Sequence, residues 1–101
     1  MNYHYKGAGY NYFMGVFKLA DRKSITAIAD TYSEESERCG EDVEYFTSLA
    51  VALNHQLWNW HNKGDEYMAK VYNDLWELAK EYGYSHFKGD ELIYFRNVMV
   101  D

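Results

Sequence analysis

The chain's four histidines (His4, His55, His61, His86) and its single cysteine, Cys39, are the side chains suited to zinc ligation or to proton transfer near neutral pH. A two-histidine helical zinc site needs its imidazoles at i and i+4. His55 and His61 are six positions apart, about 600° around a helix, so they leave it in different directions. No Glu-x-x-His pair of the di-iron bundle type occurs, and Cys39 has no CxxC partner. A metal site would have to be assembled through space from His55, His61, His86 and carboxylates. Cys39 sits in Glu-Arg-Cys-Gly-Glu-Asp, where acids raise a thiol pKa and Arg38 alone opposes them. Gly7-Ala8-Gly9 lacks the lysine of a P-loop. These residues point to no catalytic group, no metal and no cofactor.

The tetrapeptide Lys-Gly-Asp-Glu occurs twice, at residues 63–66 and 88–91. Neither copy carries the ligand spacing of a calcium loop. Its types suit a stop and restart between helices: lysine near a helix end, glycine in the left-handed turn, aspartate as the next cap, glutamate in the first turn.

Binding chemistry is better represented. In the stretch 53–61, Trp58 and Trp60 lie about 200° apart on a helix, so both cannot face one narrow core stripe. With Trp60 in the core, Trp58 points elsewhere, as packing for another segment or as an exposed anchor. Asn54, His55 and Asn59 would form the polar part of such a site. A second candidate is electrostatic. From Asp30 to Glu44 there are seven acids (Asp30, Glu34, Glu35, Glu37, Glu41, Asp42, Glu44) and one base, Arg38, in a chain of net charge −6. That balance disfavours direct contact with nucleic acid or an acidic membrane and favours a basic protein surface.

The elements that must position these residues read as helices. Val43, Phe46, Ala50, Leu53, Leu57 and Trp60 step by three and four, which predicts one helix from about Glu41 or Asp42 to Asn62. Met68, Val71, Leu75, Leu78 and Tyr82 repeat the spacing from an Asp65 cap to a stop at Gly83. Asp90 is expected to cap a last short helix with Leu92, Phe95 and Met99 inward and Ile93 beside them. Ser24 is expected to cap a helix with Ile25, Ile28, Ala29 and Tyr32 on one face, ending near Gly40. Tyr10, Phe13, Met14 and Phe17 also fit a helical face. The tyrosines around Lys6-Gly7-Ala8-Gly9 suggest a small hairpin or an aromatic arm over residues 1–12.

The fold expectation is therefore mainly all-α: a small antiparallel helical bundle in a single domain, 1–101, with 41–101 as the helical core. With 48% hydrophobic residues the chain has enough apolar content to fold, and 19% aromatics exceed what a small core easily hides. The longest aliphatic run, Leu49 to Leu53, is too short to span a membrane. The start has no apolar run of signal-peptide length, and one cysteine allows no internal disulfide, so a cytoplasmic setting is expected.

Residues Leu53–Trp58, Ala69–Trp76 and Phe87–Phe95, in that order, resemble a block in small uncharacterised proteins of mobile elements and prophages in gut Firmicutes. The resemblance covers about residues 43–101. It implies a compact helical protein of mobile-element origin and carries no activity or site residue with it.

The functional expectation is a small non-enzymatic interaction module that self-associates or binds a protein partner through aromatic surface and the 30–44 acids. Two alternatives stand beside it: a phage-type inhibitor imitating nucleic-acid charge against a host DNA-binding enzyme, and a small metal-dependent enzyme.

Overall fold

Three of the helices open on an oxygen that the sequence places for the purpose. Ser24 accepts from the amide of Ala27 (3.1 Å), Asp42 from Glu44 and Tyr45, and Asp65 from Met68 (3.0 Å). Each satisfies backbone N–H groups that the first turn leaves without a carbonyl partner. The computed structural model describes residues 4–5, 7–21 and 24–100. It contains α1 (Tyr10–Ala20), α2 (Ile25–Cys39), α3 (Val43–Asn62), α4 (Glu66–His86) and α5 (Gly89–Met99), with no strand among the described residues. The protein is an all-α bundle.

α3 is the central helix. From Phe46 to Asn54 every residue is buried, because α1, α2, α4 and α5 all pack against it. A one-faced apolar stripe understates this helix. Thr47 and Ser48 are also inside, their hydroxyls donating to the carbonyls of Val43 and Glu44 four residues back. α1 runs parallel to α3, since Ala8 meets Ser48, Tyr10 meets His55, and Asp21 lies near Lys63. α4 returns antiparallel after the Lys63-Gly64-Asp65 turn, with Gly64 at φ 81. α5 closes the far end, where Phe46, Phe87 and Phe95 stack with centroids 5.7–6.2 Å apart.

Five expectations need correction. The hairpin over 1–12 does not form among the described residues; Tyr10–Tyr12 are the first turn of α1, and Tyr3 lies outside the described residues. A lone two-stranded ribbon buries little, whereas the helix buries Phe13 and Phe17. The preceding segment is laid on the body: the Ser48 hydroxyl donates to the Ala8 carbonyl (2.5 Å), and the Tyr5 and Tyr94 hydroxyls lie 2.5 Å apart.

α4 does not stop at Gly83 but continues to His86. Gly83 is a buried helical residue whose missing side chain admits the ring of Phe95. The inward line of α4 is also rotated. It runs Ala69, Tyr72, Leu75, Ala79, Gly83, and leaves Leu78 51% exposed. Small residues let α4 approach its neighbours closely, and close packing outranks the larger transfer energy of Leu78.

Finally, Asp90 lies in the first turn of α5 and does not cap it; Lys88 holds the cap position without a side-chain bond to the first turn, its ammonium donating back to the Ser85 carbonyl (3.0 Å). Gly64 and Gly89 are both left-handed (φ 81 and 61), but the two Lys-Gly-Asp-Glu copies differ around them: Lys63 is helical at the end of α3, Lys88 is extended before α5, and only Asp65 caps. In α2, Ile28 is buried, but Ile25 and Ala29 are exposed.

Candidate functional site

The last two turns of α3 emerge from the core, and they separate the residues that the sequence grouped. Asn54 is 3% exposed, and its Oδ1 has no hydrogen-bond partner among the described residues. His55 is half-buried, its Nδ1 2.6 Å from the Tyr10 hydroxyl and the two rings edge to face. Asn59 is exposed on the side facing α1. Trp58 is 42% exposed and lies in a groove on the α4 side. Asn54, His55, Trp58 and Asn59 therefore do not form one surface. Steps of 100° around a helix with neighbours on several sides send them to different places.

The groove around Trp58 has a volume of 340 Å³. α3 contributes Leu57, Trp58 and His61; α4 contributes Glu66, Ala69, Lys70 and Asn73. The tight Gly64 turn holds the end of α3 against the start of α4, and the small Ala69 leaves the space between them open. His61 stands edge-on to Trp58, with centroids 5.3 Å apart at 90°, and its Nδ1 lies 2.7 Å from Glu66 Oε1. Lys70 pairs with Asp74 at 2.9 Å, as the i,i+4 spacing predicts, while Glu66 turns to His61 instead of Lys70. Trp60 goes the other way. It is half-buried against the core, with the Lys63 ammonium 4.5 Å above its ring. The groove thus combines an accessible indole with a rim carrying charges of both signs.

The acidic stretch divides in a similar manner. Glu35 accepts from the Tyr12 hydroxyl (2.8 Å) and from Arg38 (2.6 Å). Glu41 lies 3.1 Å from His86 Nε2, and Asp42 is used as a cap. Asp30, Glu34 and Glu37 remain as an exposed i, i+4, i+7 stripe on α2. Three charges over about 10 Å of helix axis make a stripe only as long as about three phosphates of one DNA strand, at roughly 3.4 Å each.

Among the described residues no group of three or more His, Cys, Asp or Glu side chains could hold a metal ion. His61 and His86 each face one carboxylate. Cys39 is buried at the end of α2. Burial pushes its thiol up to about 11, with Arg38 offsetting only part. It stays protonated at neutral pH and is a poor nucleophile.

One polar pair is not visible in the sequence. Tyr72 is fully buried, and its hydroxyl donates to the Phe17 carbonyl (3.2 Å) and to Asp21 Oδ1. Burial raises the Asp21 carboxyl from its ordinary 3.8 to about 6; the Trp60 indole and the Lys63 ammonium offset this in part. The Trp60 N–H itself meets no acceptor in hydrogen-bond geometry among the described residues, so its effect on Asp21 is that of a nearby dipole. Tyr72 and Asp21 are 51 positions apart, and each reads locally as an ordinary helix or loop residue.

No helix of the described residues is long and apolar enough to cross a membrane. No family model, no curated protein and no solved structure matches the chain.

Proposed function

We propose that this chain is a non-enzymatic interaction module that pairs with a second copy of itself through the Trp58 groove. The observation that carries the reading is the indole of Trp58, left 42% exposed beside a groove while the core closes without it. Tryptophan is enriched among the residues that dominate binding energy at interfaces, where a desolvated pocket surrounds it. A two-fold interface brings the same patch together twice, so the patch must complement itself. The rim charges support this: Glu66 and Lys70 lie side by side, and a rotated copy would set each opposite the other, in exchange for their present partners His61 and Asp74. The α2 face would not serve, because Asp30, Glu34 and Glu37 would meet their own like charges.

A protein partner other than a second copy is the next reading. The α2 stripe supports it, since unpaired acids speed encounter with a basic surface. The charge-mimic reading is weaker, because the free acids of α2 span the length of only about three phosphates. A metal-dependent enzyme is weaker still, because His61 and His86 face separate carboxylates and His55 faces the Tyr10 hydroxyl. The free buried thiol supports a cytoplasmic setting, and the resemblance to mobile-element proteins suits a small binding module.

Sedimentation equilibrium of the wild type and of Trp58→Ala tests the proposal. The expected result is concentration-dependent dimerisation of the wild type and a monomeric variant of unchanged helical content. A wild type that stays monomeric at millimolar concentration, or a variant that dimerises equally well, overturns it.

A further inference from the structure

We propose that the cleft between α1 and the end of α3 binds a small organic anion, a carboxylate or phosphate ester with a polar body. This site lies on the side of α3 away from the Trp58 groove and does not depend on dimerisation. The cleft has a volume of 640 Å³, within the roughly 300–1,000 Å³ of small-molecule sites. Its wall on α1 is open because Gly15 presents bare backbone, with no atom within 4 Å of where a β-carbon would stand.

Two features point to an anionic occupant. The first is charge. Lys18 and Lys63 both line the cleft and Asp21 opposes them, so the lining is net positive in a chain whose net charge is −6. Asp21 is turned to the Tyr72 hydroxyl, which holds its Oδ1 from behind. Lys63 is held at the rim by the Trp60 ring, 4.5 Å from its ammonium. The second feature is Gln56. It is only 4% exposed, it lines the cleft, and its side-chain amide makes no hydrogen bond with the described residues. Its side chain is mostly covered but its amide atoms still reach solvent, and it lines the cleft, where Asn59 and Asn62 add further amide donors and acceptors. Two ammonium groups for the anion and three amides for hydroxyl or amide groups form a recognition set of which the fold engages only Lys63, on the Trp60 ring.

Proton–nitrogen correlation spectra of the labelled protein, titrated with citrate and separately with glucose 6-phosphate, test the site. Saturable shifts of the Gln56, Asn59 and Asn62 side-chain amides are expected with at least one probe, and the probe that saturates identifies the anionic group. The Lys18→Ala, Lys63→Ala double variant should bind at least about tenfold more weakly, as expected for lost charged hydrogen bonds. Gly15→Phe, which fills the open wall, should abolish the shifts while keeping the wild-type spectrum elsewhere. Absence of saturable shifts with both probes, or shifts that persist in both variants, overturns the proposal.

Discussion

The ring of Phe95 occupies the space that a β-carbon on Gly83 would need. α5 is seated on α4 through this contact, and it explains why a glycine persists in the interior of a 21-residue helix. Gly83→Ala gains about 1 kcal/mol of helix propensity. It also forces the ring aside, and overpacking costs about 1–3 kcal/mol. The expected outcome is a lower melting temperature. Gly15→Ala is the control, since Gly15 is helical with open space around it. That change should stabilise by about 0.5–1 kcal/mol and raise the melting temperature by several degrees. Thermal melts followed by circular dichroism check both signs.

Ser48 ties the N-terminal segment to the core through the Ala8 carbonyl. Ser48→Ala removes the donor; the carbonyl belongs to an exposed residue and can turn to water, so the loss is about 0.5–1.5 kcal/mol. Limited proteolysis should then cut ahead of Tyr10 faster than in the wild type. Unchanged cleavage would mean that the Tyr5–Tyr94 contact alone holds the segment.

Asp21 makes stability depend on pH in a direction opposite to that of a salt-bridged acid. Its folded pKa, about 6, exceeds its ordinary 3.8. Between these values the folded chain binds more protons than the unfolded one, so this group's contribution falls as pH rises. The penalty is complete above the folded pKa and absent below the unfolded one. Solvent screens a half-exposed group, which limits the penalty to on the order of 1 kcal/mol at neutral pH. Asp21→Asn keeps an acceptor for Tyr72 and removes the charge. The variant should melt higher than the wild type at pH 7.5, and the difference should shrink toward pH 4. A constant difference across that range would contradict the assignment.

Several helix ends were legible from local chemistry. Ser24 and Asp65 cap as expected, α3 starts at Asp42 within the expected bounds, and Gly64 turns as a left-handed glycine should, whereas Asp90, of the same type as Asp65, does not cap. Legibility failed where distant residues decide. Gly83 reads as a stop because its real constraint, Phe95, comes 12 residues later in another helix. The α4 interior is lined by Ala69, Ala79 and Gly83, which carry little hydrophobic signal, so Leu78 reads as core although it is exposed. For the candidate site, the divergence of Trp58 and Trp60 followed from helical geometry alone. The separation of Asn54 and His55 from Trp58 did not, because it depends on which neighbours surround α3. The Asp21–Tyr72 pair was hidden for the same reason.

The most direct measurement for the Trp58 groove is the indole N–H resonance of Trp58 across protein concentration. The account predicts that this resonance, with the backbone amides of His61, Ala69, Lys70 and Asn73, shifts progressively from micromolar to millimolar protein, while the Trp60 and Trp76 indoles stay fixed. A Trp58 resonance that does not move, or shifts confined to α2 or α5, would contradict it.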